Sequence, residues 1–388
     1  MPLRRSSRQG TVGAGVTRRT GADEPRAINV LVVDDSAVVR QVLTAILTRT
    51  PGMSVTAAAD PIIAQQKMKR IRPDVILLDI HMPRMDGLTF LRQVMAEDPV
   101  PVVVCSSLTG AGTEEALRAL EEGAVDIVTK PKVGLQGFLE DSATRLTEVI
   151  RGAAMARLAR RPATAESGRT AVPPAAPRAG TAATRTSAQK LIAVGASTGG
   201  TDAIREFLAA MPADAPPIVI VQHMPERFTR AFAERLDRTC ALRVKEAADG
   251  DPVVEGQALV AAGDRHLRVL GSGGLYVAEV RPGPLVSQHR PSVDVLFRSV
   301  AQAAGPHAVG VIMTGMGDDG AAGLLEMRQR GAATLAQDEA TSIVFGMPRE
   351  AVVRGAVGEV LPLDHLAAAT LREARAGTTW PSPDAATE

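Results

Sequence analysis

Val30-Leu31-Val32-Val33-Asp34-Asp35 is a continuous apolar run that stops at two carboxylates. Three runs of the same character follow: Val75-Ile76-Leu77-Leu78 ahead of Asp79, Val102-Val103-Val104 ahead of Ser106, and Asp126-Ile127-Val128 ahead of Lys130. Stretches with helical period separate them. Short apolar strands alternating with helices predict a parallel sheet covered on both faces over residues 28–150. Ligands of such a sheet bind beyond the carboxyl ends of its strands, where Asp34, Asp35, Asp79, Ser106 and Lys130 all fall. Any one of these acids is explained by helix capping. The set is not: three carboxylates at one sheet edge repel unless a cation neutralises them, and hard oxygen ligands suit Mg2+. With a lysine and a hydroxyl beside them to hold phosphoryl oxygens, the pattern fits a carboxylate that accepts a phosphoryl group.

The alternation returns in Leu191-Ile192-Ala193-Val194, Ile218-Val219-Ile220-Val221 and Val309-Gly310-Val311-Ile312-Met313, so a second doubly wound α/β domain is expected. Its first strand runs into Gly195-Ala196-Ser197-Thr198-Gly199-Gly200, a glycine-rich turn that can expose a serine hydroxyl before a helix. Alone, that turn serves equally to bind phosphate or to begin a helix. His223 ends the next strand and Asp318-Asp319 follow the third, so a nucleophile, a base and an orienting acid all fall at strand ends of one sheet. The order Ser, His, Asp differs from the Ser, Asp, His order of α/β hydrolases, which implies convergence. Oxyanion donors are expected from the Thr314–Gly317 turn, with the Met316 amide proposed. Thr198 has two readings, a donor or an orienter of His223 on one side and a filler of the first helical turn on the other. His266, His289 and His307 read as spare surface or packing residues, and Arg290-Pro291-Ser292 as a substrate-site edge or a structural loop.

Composition narrows the function classes. The 388 residues suffice for two domains, and no apolar run approaches the roughly 18 residues of a membrane span. Met1-Pro2-Leu3-Arg4-Arg5 lacks the apolar stretch of a secretory signal, so a cytoplasmic location is expected. Cys105 and Cys240 stand alone, which argues against a disulfide framework or a zinc ribbon. Aromatics are 2%, too few for stacking platforms. The net charge of +1 conceals +4 in residues 1–27 and +7 in residues 151–190. The remainder is therefore acidic, which disfavours nucleic acid as a partner. Residues 151–189, rich in Ala, Arg and Pro, read as a linker, residues 1–27 as a disordered basic tail, 190–370 as the second domain and 371–388 as a C-terminal tail.

The first domain resembles the receiver of bacterial two-component response regulators through Val-Asp34-Asp35-Ser, Leu-Leu-Asp79-Ile-His-Met-Pro-Arg-Met-Asp-Gly87, Ser106-Ser107-Leu-Thr and Thr-Lys130-Pro131. The resemblance implies a flavodoxin-like sheet and phosphorylation of Asp79. It also implies Mg2+ on Asp34, Asp35, Asp79 and the His81 carbonyl, with Ser106 and Lys130 on the phosphoryl oxygens. The second domain is similar to the catalytic domain of the chemotaxis methylesterase family, CheB. The similarity rests on Gly-Ala-Ser197-Thr-Gly-Gly, Gln-His223-Met-Pro, His289-Arg-Pro-Ser-Val-Asp294 and Thr-Gly-Met316-Gly-Asp-Asp319-Gly. It implies phosphorylation-activated hydrolysis of glutamate methyl esters on chemoreceptors, with methanol release and related deamidation of receptor glutamine. Ser197 would be the nucleophile, His223 the proton carrier and Asp319 its orienting acid, with no cofactor for the esterase. The implied partners are methylated chemoreceptors and a chemotaxis histidine kinase, without membrane insertion. A second reading is a phosphorylation-controlled adaptor whose main output is binding.

Overall fold

The computed structural model describes residues 26–106, 110–131, 136–158, 190–272 and 275–376. Most of the expected basic tail, linker and C-terminal tail, together with Ser107, lies outside the described residues.

The N-terminal domain runs β1(Ile28–Val33), α1(Ala37–Thr48), β2(Met53–Ala58), α2(Pro61–Met68), β3(Val75–Leu78), α3(Gly87–Glu97), β4(Val102–Ser106), α4(Gly110–Glu121), β5(Asp126–Thr129), α5(Gln136–Ala154). Its strands lie in the order β2-β1-β3-β4-β5, all parallel. Alternate residues of the apolar runs enter opposite cores. Val30, Val32, Leu77 and Val103 pack with Leu43, Leu47 and Ile150, while Leu31, Val33, Ile76 and Val102 pack with Phe90 and Leu91. This two-sided burial is why the runs are continuously apolar. Strand β2 escapes the sequence reading because it is an edge strand, where only Met53 and Ala58 are buried. Polar side chains start the helices: Ser36 caps α1, Asp60 caps α2 and Asp86 caps α3. Helix α5 runs to Ala154, past the expected domain end at residue 150.

The C-terminal domain contains β6(Leu191–Ala196), α6(Gly200–Ala209), β7(Ile218–Gln222), α7(Glu226–Thr239), β8(Arg243–Glu246), β9(Gln257–Val260), β10(His266–Ser272), β11(Leu275–Arg281), α8(Val293–Ala303), β12(Ala308–Ile312), α9(Ala321–Gln329), β13(Ala333–Gln337), α10(Met347–Val353), β14(Glu359–Leu361) and α11(Leu363–Arg375). Seven parallel strands lie in the order β14-β13-β12-β6-β7-β9-β8. The chain leaves β6 toward β7 and returns to β12 on its other side, so the topological switch opens a crevice beside β6. Every residue of β6, β7 and β12 is buried. The antiparallel pair β10–β11, which the sequence reading did not anticipate, packs on α8. Helix α11 extends to Arg375, so the start of the expected tail is helical.

The two domains meet at the carboxyl edge of the seven-stranded sheet. Gly199 N donates to Val125 O at 3.3 Å and Arg157 N to Ile343 O at 3.0 Å. Helix α4 lies along α7, where Glu121 pairs with Arg235.

Candidate active site

Each domain carries one candidate site at the carboxyl ends of its strands; the serine site lies on this boundary against Asp126 at the start of β5, and the acidic site lies at the other end of β5. In the N-terminal domain β1, β3 and β5 deliver Asp34, Asp79 and Lys130 to one edge. Lys130 Nζ lies 2.8 Å from Asp34 Oδ2 and 2.7 Å from Asp79 Oδ2. Asp34 and Asp79 are buried, Asp35 is exposed, and ligand oxygens of all three lie within 4.8 Å of one another. Burial pushes the Asp79 carboxyl upward, opposed by its bond to Lys130. For Lys130, burial acts downward, but the two carboxylates outweigh it and raise the ammonium. Two buried acids sharing one lysine, with a third acid at the mouth, fit a hard divalent cation. Ser106 ends β4, and its hydroxyl donates to Gly112 O at 3.1 Å. His81 N donates to Asp79 Oδ1 at 3.3 Å, and its imidazole lies 2.6 Å from Glu115.

In the C-terminal domain the adjacent strands β12, β6 and β7 present Asp319, Ser197 and His223. Ser197 follows β6 in a turn closed by Gly200 N on Ser197 O at 2.7 Å. The turn requires a left-handed residue, and Gly199 has φ +77°. Gln222 Nε2 donates to Ser197 O at 2.8 Å and holds this turn from β7. His223 Nε2 lies 2.8 Å from Asp319 Oδ2, while its buried Nδ1 has no hydrogen-bond partner among the described residues. No hydrogen bond joins Ser197 to His223 among the described residues, although both line one cavity. Asp319 meets His223, whereas the neighbouring Asp318 pairs outward with Arg354.

Asp319 is held from several sides. Its carboxylate accepts from Ser292 Oγ at 2.8 Å, Val293 N at 2.7 Å and Asp294 N at 3.0 Å, so it sits on the N-terminus of α8. Burial acts to raise its pKa, but the hydrogen bond from His223 and these backbone donors together hold it below the usual carboxylate range. Asp294, in the first turn of α8, accepts in return from Gly320 N at 3.1 Å and Gly323 N at 2.7 Å at the start of α9. Burial nevertheless leaves the Asp294 carboxyl raised.

Thr198 and Met316 flank the serine. Neither backbone N–H has a protein acceptor among the described residues. The Thr198 hydroxyl does not turn to His223. It donates to Asp126 Oδ2 of the N-terminal domain at 2.9 Å, while Thr198 O accepts from Thr314 Oγ1 at 3.0 Å. A cavity of about 340 Å³ joins these groups to Arg145, Glu148 and Val149 of α5. Helix α5 comes this close because residue 152 is glycine: a Cβ there would stand 3.2 Å from both Met316 Cβ and Thr198 Oγ1.

His289, read from the sequence as a spare surface or packing residue, packs directly on the proposed base. Its ring stacks on His223 with centroids 3.6 Å apart and planes within 9°. His289 Nδ1 lies 2.6 Å from Ser287 O, and Nε2 faces Glu148 at 3.7 Å. Burial and the charge of His223 push its pKa down to about 3. Nothing in the spacing around His289 signals this stack. His266 is structural, bound to Pro284 O and Ser292 N. Asp126, Arg145 and Glu148 also escape a one-domain reading, since each reaches the serine only through docking.

Residues 192–370 match the family model for the CheB methylesterase, and residues 30–136 match the response regulator receiver domain. A protein of Anaeromyxobacter dehalogenans named protein-glutamate methylesterase/protein-glutamine glutaminase 1 is 60% identical over 359 residues, covering 90% of this chain and 100% of that one. A protein-glutamate methylesterase/protein-glutamine glutaminase 3 of Geobacter metallireducens is 56% identical, covering 89% and 99%. The crystal structure of the Thermotoga maritima CheB methylesterase catalytic domain is 35% identical over 47% of this chain and 98% of its own, with a TM-score of 0.46.

Proposed function

We propose a residue-level mechanism from the premise that this chain belongs to the CheB family of receiver-linked protein-glutamate methylesterases. The chain is a protein-glutamate methylesterase and glutaminase of chemotaxis, under phosphorylation control. In our reading Ser197 Oγ attacks the carbonyl of a receptor glutamate methyl ester while His223 Nδ1 takes its proton. The imidazolium that forms is stabilised through Nε2–H by Asp319, whose four hydrogen bonds fix it against rotation. The Thr198 and Met316 amides receive the oxyanion. His223 returns its proton to methoxide, methanol leaves, and water attacks the acyl-serine by the reverse proton path. A glutamine side chain follows the same route with ammonia as the leaving group.

The observation that carries this reading is the His223 pairing. Nε2 is committed to Asp319, and Nδ1, buried and without a partner among the described residues, is left to serve as the base in the cavity that holds Ser197.

Control comes from Asp79 as phosphoacceptor, with Ser106 and Lys130 on the phosphoryl oxygens. Asp34, Asp35, Asp79 and the His81 carbonyl would hold Mg2+. When bound, the ion neutralises charge on the transferring phosphoryl group. The docked receiver closes the esterase to receptors, and phosphorylation favours release. The phosphodonor is a kinase and the substrate a chemoreceptor. No helix among the described residues is long and apolar enough to cross a membrane. The test is methanol release from methylated receptor membranes: wild type should respond to a small-molecule phosphodonor with Mg2+, and Ser197→Ala should release none. Release retained by Ser197→Ala would sink the assignment.

A further inference from the structure

Docking of the receiver covers the esterase face without filling it. The cavity between the domains holds about 340 Å³, near the lower end of small-molecule sites. Among its lining residues Ser197 and His223 are buried, whereas Ser287, Gln288, Gly317 and Asp318 are all exposed. It therefore opens to solvent between the loop before His289 and the loop after Met316. Among the described residues, Ser197 and His223 share the cavity beneath that mouth without a hydrogen bond between them, and the groups around them are in place. His223 is paired with Asp319 at 2.8 Å, and the Thr198 and Met316 amides have no protein acceptor among the described residues. Docking thus removes room for a folded protein segment while leaving the His223–Asp319 pair and the two amides in place, with Ser197 and His223 in one cavity.

We infer that the chain hydrolyses small esters while its receiver is docked, so that docking excludes by size. The inference rests on the proposed roles of Ser197 and His223. The walls supply Asp126 and Glu148 beside Arg145, while Asp318 on the rim is paired with Arg354. This balance selects uncharged or cationic acyl esters of a few heavy atoms over anionic ones. Ser197 Oγ bonds to the acyl carbon, His223 passes the serine proton to the departing alcohol, and water then frees the acid and restores the serine hydroxyl.

A staple outside the cavity tests this in the full chain. Arg157 and Glu339 meet at 2.6 Å across the domain boundary, both exposed, and neither lines the cavity. In a Cys240→Ser background, Arg157→Cys and Glu339→Cys are joined by a short bis-maleimide, and Ser197-dependent hydrolysis of p-nitrophenyl acetate is followed beside methanol release from methylated receptor membranes. The stapled chain should keep the small-ester rate within about twofold and lose about tenfold or more of receptor hydrolysis, even with phosphodonor. Loss of both activities on stapling, with both restored in the unjoined double variant, would overturn the inference. Faster turnover of monomethyl succinate than of glycine methyl ester by the stapled chain would overturn the proposed substrate class. The functional reading fails by a different sign: receptor hydrolysis by the unstapled chain that persists in Ser197→Ala.

Discussion

Thr198 Oγ1 donates to Asp126 Oδ2 at 2.9 Å, so the residue after the proposed nucleophile and the first residue of β5 share a hydrogen bond across two domains. Strand β5 ends beside Lys130, whose ammonium bridges Asp34 and Asp79. A strand about 13 Å long thus spans from the proposed phosphorylation site to the esterase. Asp126→Ala deletes the bond and should weaken docking by about 1 kcal/mol, raising methanol release without phosphodonor about fivefold and shrinking the stimulation by phosphodonor. Gly152→Leu should act in the same direction by pushing α5 off Met316 and Thr198. Unchanged basal release in both variants would separate these contacts from inhibition.

Much of this was legible in the sequence, for a physical reason. Strands buried on both faces are apolar throughout, and their carboxyl ends carry the chemistry, so Asp34, Asp79, Lys130, Ser197 and His223 could each be placed at a strand end from the runs alone. Strand β2 lacks that signature because an edge strand buries little. The pair β10–β11 alternates inward and outward residues on one face only, which a search for continuous runs passes over. The stack of His289 on His223, the turn of the Thr198 hydroxyl toward Asp126 and the approach of Arg145 arise from packing between distant segments. No local spacing encodes them.

Asp294 and Asp319 exchange helix ends, each accepting backbone donors at the start of the other's helix. Gly320, at the N-cap of α9, has no side chain to cap it, and Asp294 supplies the missing acceptor. Asp294→Ala leaves buried N–H groups unpaired and should cost about 2 kcal/mol of stability, with a fall of about tenfold in kcat as Asp319 loses its frame. Asp294→Asn keeps an acceptor and should recover most of the stability. Urea denaturation and methanol release measure the two effects. A kcat loss in Asp294→Ala with unchanged stability would contradict the exchange as a structural support.

Asp79→Asn should retain basal methanol release and lose all response to phosphodonor, and removal of Mg2+ by EDTA should give the same pattern in wild type. Lys130→Met leaves Asp34 and Asp79 buried without their cation and should destabilise the receiver by about 3 kcal/mol. Added Mg2+ should return part of that loss, and more of it than it adds to wild type. A Lys130→Met chain as stable as wild type in EDTA would show that the two acids do not depend on the lysine.

His289 also makes stability depend on pH. Its folded pKa is pushed down to about 3 by burial first and by the charge of His223 second, while an unfolded histidine titrates near 6.5. Between those values the unfolded chain binds the extra proton, so stability rises with pH and is lost as pH falls from about 6.5 toward 3. His289→Gln removes this proton uptake. From pH 7 to pH 5 wild type should lose about 1–2 kcal/mol more than His289→Gln in urea denaturation of the C-terminal domain. The stack itself has a separate readout: His289→Phe preserves a flat ring against His223 and should keep more kcat than His289→Ala, with KM little changed in either. Parallel pH–stability curves for wild type and His289→Gln would show that His289 does not titrate in this way.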